Sequence, residues 1–218
     1  MRKFEGIVFD MDGTIINSEQ LHIDAWIYMF EKYELPLKEE DIHQWIGVSD
    51  VLICQRLAKQ FETKVPAEEL LQEKRTYFRE VAHQHVDTMP GTIEGLAKLN
   101  FVPMAVATMS NRYEAEKSLK KTDIYKLFVS VVTADDVENH KPDPACYLKA
   151  CRDLGLPPSS CIGIEDSVSG VSSSKAAGLF TIGVANTIPK DKLIEADLIL
   201  DNTVEVMNYL AKVFQVEA

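Results

Sequence analysis

No apolar run in the sequence approaches the ~20 residues that a membrane-spanning helix needs. Near the N-terminus the run is only Ile7 to Phe9, too short for the core of a signal peptide. A cytoplasmic protein with no membrane partner is therefore expected. Cysteines are few, and Cys54, Cys146, Cys151 and Cys161 form no C-x-x-C pair. That argues against a disulfide framework and for reduced thiols. Basic stripes are also missing: 23 Lys and Arg stand against 34 Asp and Glu, a net charge of −11. Nucleic acid and anionic membranes make poor partners for such a chain. A small anion fits only where a local cation or backbone N–H groups receive it. Glycine and proline, at 10 and 9 of 218 residues, exclude a collagen-like or low-complexity chain. There is no internal repeat.

What is present is ordinary for a soluble globular protein: 46% hydrophobic and 26% charged residues. The length suits roughly one to two domains. Six short apolar runs read as strands: Gly6 to Phe9, Val102 to Ala107, Val129 to Val132, Cys161 to Ile164, Phe180 to Val184 and Leu198 to Leu200. Most are continuous rather than alternating, as in a parallel sheet covered on both faces. Pro103 fits its run only at the very start.

Helical signals lie between the runs. Asn111 with Glu114 has the spacing of a capping box. Asp143-Pro144 offers an N-cap and a proline at the first helical position. Gly155 and Gly178 sit where helix C-caps fall, and the small residues from Ser167 to Gly178 read as a closely packed helix. This alternation predicts an α/β fold. From about Ser18 to Val86 it stops, and Trp26, Phe30 and Tyr33 recur at helical spacing. Further helical pieces follow near Ser49 to Phe61 and Ala67 to His83. The expected organisation is a discontinuous α/β core of residues 1–16 and 88–218, with a helical cap of residues 17–87 inserted. Insertions at the mouth of a parallel sheet often serve as lids.

The chemistry gathers at strand ends. Asp10-Met11-Asp12-Gly13-Thr14 follows the first strand, and side chains two apart on extended backbone share a face. Two carboxylates so close repel unless a cation or proton separates them. Taken alone, the motif also suits an acidic turn. Glu165-Asp166 ends another strand and, alone, suits a helix N-terminus. Thr108-Met109-Ser110-Asn111 ends a third, and Lys141 precedes Pro142. Alone, Asn111 reads as a cap and Lys141 as a surface lysine. Together they are acids, a hydroxyl, a cation and N–H donors beyond the carboxyl ends of a parallel sheet, where such folds bind ligands. The acids suit Mg²⁺, which prefers oxygen ligands.

At these residues the sequence resembles the haloacid-dehalogenase-like hydrolases, specifically the beta-phosphoglucomutase-like phosphatase group. Four motifs occur in order: Asp10-Met-Asp-Gly-Thr14, Thr108 after an apolar strand, Lys141-Pro, and Ile164-Glu-Asp-Ser167. The resemblance covers essentially the whole chain. It implies a Rossmann-like parallel sheet of order 5-4-1-2-3, with the first and fourth strands adjacent. It also implies roles: Asp10 as the nucleophile that forms an aspartyl-phosphate, and Asp12 as general acid/base with its backbone carbonyl on the metal. Glu165 and Asp166 would hold Mg²⁺ with Asp10, Thr108 would bind phosphate, and Lys141 would neutralise charge. Ser110 and Asn111 join as phosphate-side candidates. A carboxylate nucleophile splits hydrolysis into two displacements. An acid at Asp12 suits an alkoxide leaving group, which a halide would not need.

The cap would choose the substrate, with Glu19 and His22 as candidate substrate-facing residues. His22 matches a cap histidine of the sugar-phosphate mutases. Those mutases carry an arginine after Gly-Val-Ser, whereas here Gly47-Val48-Ser49 leads to Asp50, an acid that would repel a second phosphate. Asn17 stands at the cap entrance, where the family commonly has Asp. Phosphonate hydrolysis would need a buried cap lysine, and neither Lys59 nor Lys64 is marked as one. The expected function is a Mg²⁺-dependent phosphatase for a small phosphorylated metabolite, such as a sugar phosphate. A mutase ranks second and a phosphonatase third. A reading of another class, a receiver-like phosphorylation switch, also uses an acidic pair, a Thr or Ser and a Lys, but on about half this length and without a cap. Turnover of an aryl phosphate separates the two. A monomer is expected. His83-x-His85 lacks a third ligand, His43 and His140 read as surface residues, Cys146 and Cys151 as core, and Trp26 and Trp45 as cap core.

Overall fold

The computed structural model describes residues 4–42, 45, 48–61 and 64–215, with the side chains of Ala82 and His83 excepted. The readings made of His43, Gly47 and the His83 side chain fall outside these.

The chain opens with β1 (Gly6–Phe9), followed by the two-residue strand β2 (Ile16–Asn17). Helices α1 (Glu19–Lys32), α2 (Glu39–Ile42), α3 (Asp50–Gln60) and α4 (Ala67–Glu80) come next. The strand β3 (Asp87–Thr88) then pairs antiparallel with β2. Beyond it strands and helices alternate: α5 (Thr92–Lys98), β4 (Met104–Ala107), α6 (Arg112–Lys121), β5 (Ser130–Val132), α7 (Ala145–Asp153), β6 (Cys161–Glu165), α8 (Val168–Ala177), β7 (Phe180–Val184), β8 (Leu198–Leu200) and α9 (Thr203–Val213).

The sheet is parallel, with order β5-β4-β1-β6-β7-β8. The five neighbours of the order that the resemblance implies are in place, and the sixth run, Leu198 to Leu200, adds β8 at the edge beyond β7. Its register is pinned by Asp197, whose N–H donates to the Thr181 carbonyl at 2.8 Å while its carboxylate accepts from the Thr181 N–H at 2.8 Å. Pro103 stands just before β4 and contributes only its carbonyl, which accepts from Ile7 N at 3.1 Å. That strand accordingly begins at Met104 rather than Val102.

Residues alternate across the sheet. Ile7 and Phe9 pack into a cluster with Val106, Ile164 and the apolar sides of α6 and α9, whereas Val8 packs with Ala105, Val132, Cys146, Tyr147 and Cys151 of α7. Helices thus cover both faces, as the continuous apolar strands require. All four cysteines are buried and free. The helices α1 to α4 have their own cluster, built on Ile23, Trp26, Met29, Phe30, Ile53, Leu57 and Leu70. No helix among the described residues is long and apolar enough to cross a membrane.

Local signals explain the boundaries. Asn111 caps α6 by accepting from Glu114 N at 3.1 Å, while the Glu114 carboxylate turns towards Arg79, 3.6 Å away. The expected box is therefore a single cap. Helix α7 starts one residue later than expected, at Ala145, whose N–H donates to Asp143 Oδ1 at 2.9 Å. Gly178, at φ 90°, closes α8.

Candidate active site

Register assembles the site. Phe9 stands opposite Val106 of β4 and Ile164 of β6, so the next residues, Asp10, Ala107 and Glu165, emerge at one level. The chain leaves β1 for one side of the sheet and returns to β6 on the other, placing this level at a topological switch point. After Asp10 the backbone coils tightly: the Met11 carbonyl accepts from the N–H groups of Thr14, Ile15 and Ile16. Gly13 takes φ 74° in this coil. A Cβ there would lie 2.0 Å from Asp166 Oδ2, so both the left-handed backbone and the close approach of Asp166 demand glycine.

Lys141 is almost fully buried and sits among the acids. Its Nζ donates to Asp10 Oδ1 at 2.7 Å, to the Ala107 carbonyl at 2.9 Å, and to Glu165 Oε1. Burial opposes its charge, but Asp10 and Glu165 outweigh that and hold its ammonium well above the usual range. Glu165 is otherwise occupied, accepting from Tyr147 Oη at 2.8 Å and Ser167 Oγ at 3.1 Å. It does not line the cavity, whereas Asp10, Asp12 and Asp166 do. Asp166 accepts from Thr187 Oγ1 and, at 3.4 Å, from Thr14 Oγ1.

Asp10, Glu165 and Asp166 can each offer a carboxylate oxygen within 4.8 Å of the others, all three buried. Two of the three, Asp10 and Glu165, share one ammonium, and Asp166 has none among the described residues. Burial, with Glu165 beside it, pushes Asp10 up to about 8. Burial and Asp10 push Asp166 well above the carboxylate range. The cluster is short of positive charge and composed of hard oxygen donors, and both properties fit Mg²⁺.

Asp12 has a different environment. Its Oδ2 accepts from Ser110 Oγ at 2.7 Å and Thr108 Oγ1 at 3.3 Å, and its Oδ1 accepts from Ser18 Oγ. His22 Nε2 faces the same Oδ1 at 3.4 Å. Burial opposes ionisation here too, but hydrogen bonds from His22, Ser110 and Ser18 prevail and hold the carboxyl below its usual range. The two aspartates thus share one cavity with separate partner sets.

The far wall comes from α1 to α3. It carries Glu19, His22 and Asp50 beside the apolar faces of Ile23, Trp26, Trp45 and Ile53, enclosing about 100 Å³. Behind it the fully buried Lys74 donates to Asp50 Oδ2 at 2.7 Å and to His22 Nδ1 at 2.9 Å. Its ammonium lies over the rings of Trp26 and Phe78, 5.1 and 5.5 Å from their centroids. Lys74 and His22 hold the Asp50 carboxyl below its usual range against the effect of burial.

Of the residues singled out from sequence, Asp10, Asp12, Thr108, Lys141, Asp166, Ser110, Glu19 and His22 line this cavity, and Glu165 stands directly behind it. Asn111 does not line the cavity; its Oδ1 caps α6. Lys141 is not the surface lysine that it suggests alone. Trp26 and Trp45 belong to the hydrophobic cluster of α1 to α4 and also form cavity wall. Lys59 and Lys64 are exposed. Lys74 went unnoticed because Glu73-Lys74-Arg75 looks solvated. The signal was its spacing of four from both Leu70 and Phe78, the buried face of α4.

An α/β fold with a buried acid–lysine cluster at its switch point defines an enzyme-like site, and the comparisons specify which. The family described as haloacid dehalogenase-like hydrolase matches residues 7–184. The validoxylamine A 7'-phosphate phosphatase of Streptomyces hygroscopicus subsp. limoneus is 33% identical, covering 91% of this chain and 94% of that one. A phosphorylated carbohydrates phosphatase of Thermotoga maritima is 33% identical, covering 96% and 99%. In fold the chain is similar to a crystal structure of beta-phosphoglucomutase from Clostridium difficile, with TM-score 0.83, 23% identity and 97% of each chain covered. This chain belongs to the haloacid dehalogenase-like hydrolase family.

Proposed function

We propose that the protein is a Mg²⁺-dependent phosphatase that hydrolyses a small phosphorylated metabolite, such as a sugar phosphate, with Asp10 as nucleophile. Residues 17–87 act as a cap over a core of residues 1–16 and 88–218. The observation that carries this reading is the pairing in one cavity of two aspartates with opposite surroundings. Asp10 is gripped by Lys141 at 2.7 Å among acids, and Asp12 by hydroxyls and an imidazole.

Asp10, Asp166 and the Asp12 carbonyl would hold the ion, with Glu165 fixing Lys141 behind them. When bound, Mg²⁺ supplies charge neutralisation for the phosphoryl oxygens. Lys141 adds the positive charge beside Asp10, so that this carboxylate can approach phosphorus. Thr108 and Ser110 would turn towards the phosphoryl group the hydroxyl protons that they give to Asp12. Released from those two donors, Asp12 loses part of what holds it ionised; once protonated, it is placed to give that proton to the departing alkoxide and then to take one from water. The 33% identity to two proteins named as phosphatases supports the same class. A mutase is the second reading, favoured by His22 beside Asp12.

The test is phosphate release from p-nitrophenyl phosphate and glucose 6-phosphate with Mg²⁺. Wild type turns over. Asp10→Asn releases no phosphate while keeping the wild-type circular dichroism spectrum, and acid-quenched wild type carries phosphate on the peptide that contains Asp10. Normal turnover by Asp10→Asn overturns the assignment, and accumulation of isomerised hexose phosphate instead of free phosphate favours the mutase.

A further inference from the structure

We propose that the wall formed by α1 and α3 is a charge filter. It admits the monophosphate of an uncharged or amine-bearing polyol and rejects a substrate whose non-reacting part carries a second negative charge. This rests on the phosphatase reading above and narrows its substrate.

The argument is an inventory of charge around one cavity. Among the described residues, its charged side chains are Asp10, Asp12, Asp166 and Lys141 at the strand ends, and Glu19 and Asp50 on the opposite wall, together with His22. Lys141 is committed to Asp10, Glu165 and a backbone carbonyl. The buried cation behind the opposite wall, Lys74, has no exposed surface and is committed to Asp50 and His22. Lys74 holds Asp50 as a carboxylate at the cavity surface without reaching the cavity itself. His22 receives the Lys74 donor at Nδ1 and directs its other nitrogen to Asp12. Among the described residues the wall therefore offers two carboxylates, one of them paired from behind by Lys74, and no cation that reaches the cavity.

Its remaining surface is aromatic and aliphatic, from Trp26, Trp45, Ile23 and Ile53. Carboxylates accept hydrogen bonds from hydroxyl or ammonium groups, and indole faces cover the C–H faces of a ring. That combination suits a polyol or an amino-polyol. A second phosphate or a carboxylate would meet no cation among these residues and would face Glu19 and Asp50 across a few ångströms; with Lys74 behind Asp50 offsetting part of the repulsion, about 100-fold in affinity remains at an effective dielectric of about 20. Asp50 is also the first residue of α3, where an acid suits the helix dipole. That role alone gives it no influence on substrate choice.

Three compounds of similar size differ in the charge of the non-reacting part: glucose 6-phosphate, glucosamine 6-phosphate and 6-phosphogluconate. Each is measured as a substrate with Mg²⁺ and as a competitor of p-nitrophenyl phosphate, in wild type, Asp50→Asn and Glu19→Gln. In wild type we expect kcat/KM or affinity for 6-phosphogluconate about 100-fold below that for glucose 6-phosphate, with glucosamine 6-phosphate equal to or better than glucose 6-phosphate. Each variant narrows the gap about 10-fold, through KM or the inhibition constant rather than kcat. Should Asp50→Asn fail to fold, Glu19→Gln carries the comparison. Equal use of 6-phosphogluconate and glucose 6-phosphate by wild type, or a ratio unmoved in a folded variant, overturns the filter while leaving the phosphatase standing. Absence of phosphate release from every compound, p-nitrophenyl phosphate included, overturns both.

Discussion

Lys74 donates to Nδ1 of His22 across 2.9 Å. An ammonium has no lone pair with which to accept, so a neutral imidazole here carries its proton on Nε2, 3.4 Å from Asp12 Oδ1. A buried cation on α4 thereby sets which face of the imidazole Asp12 meets, although Lys74 itself does not line the cavity.

Lys74→Met keeps the length of the side chain and removes that donor. With Asp12 as proton donor, turnover of an alkyl phosphate should fall about 10- to 100-fold, a part of the range that general acid catalysis covers. Turnover of p-nitrophenyl phosphate, whose leaving group needs little protonation, should fall less. The ratio of the two rates is the measurement, and a uniform loss on both substrates would assign Lys74 a packing role only.

The ion pair of Lys74 with Asp50, 2.7 Å apart, should appear in the pH dependence of stability. The Asp50 carboxyl titrates below its ordinary value in the folded protein. Its contribution is therefore present above the ordinary carboxylate pKa of about 3.9 and lost as pH falls through the lower folded value. The wild type should exceed Asp50→Asn in melting temperature at pH 7, and the gap should shrink towards pH 3. Parallel melting curves across that range would remove the pair from the list of stabilising contacts.

Magnesium should raise the melting temperature of the wild type. At a hundredfold excess over Kd the gain is about 2.7 kcal/mol, or roughly 5–10 °C for a chain of this size. Asp166→Asn should lose most of this shift. Thermal melts with and without Mg²⁺, and with chelator, read it directly, with calcium as a check on selectivity for the smaller ion.

Gly170→Ala tests the packing behind the site. A Cβ at Gly170 would fall 1.9 Å from the Glu165 carboxyl group, so Glu165 must move and Lys141 loses its second anchor. We expect a destabilisation of about 1–3 kcal/mol and a larger relative loss of turnover. The same change at Gly155, which has no atom within 4 Å, tests the adverse backbone alone.

The fold was legible because its strands are short continuous apolar runs, and Ile7, Phe9, Ile164 and Ile182 can only be buried between two layers of helices. The acids at the ends of β1 and β6 were legible because a spacing of more than 150 residues still carries a local pattern at each end. Less was visible where the meaning of a residue depends on a partner far along the chain. Lys74 sits between two charged residues, and only its packing between Leu70 and Phe78 marks it as interior. Tyr147 looked like any aromatic on a helix, yet it donates to Glu165. Thr187 lies in an unremarkable loop after β7 and reaches Asp166. At Asn111 the sequence alone does not separate two readings, because a cap and a phosphate contact call for the same residue type at a helix start, and the structure shows the cap. The sixth strand was written as Leu198 to Leu200, but its place at the outer edge depended on the anchoring of Asp197 to Thr181.

The pairing of β2 with β3 is only two residues long, Ile16 with Thr88 and Asn17 with Asp87. Ser18 and His22 lie beyond this narrow strap, while Thr108, Ser110 and Lys141 lie on its near side. Any swivel about the strap would strip Asp12 of two of its four partners and leave Asp10 in the grip of Lys141. On the proposal that residues 17–87 open as a cap, the groups around Asp10 stay assembled while Asp12 alone loses and regains partners, which confines the cost of admitting substrate to a single carboxylate.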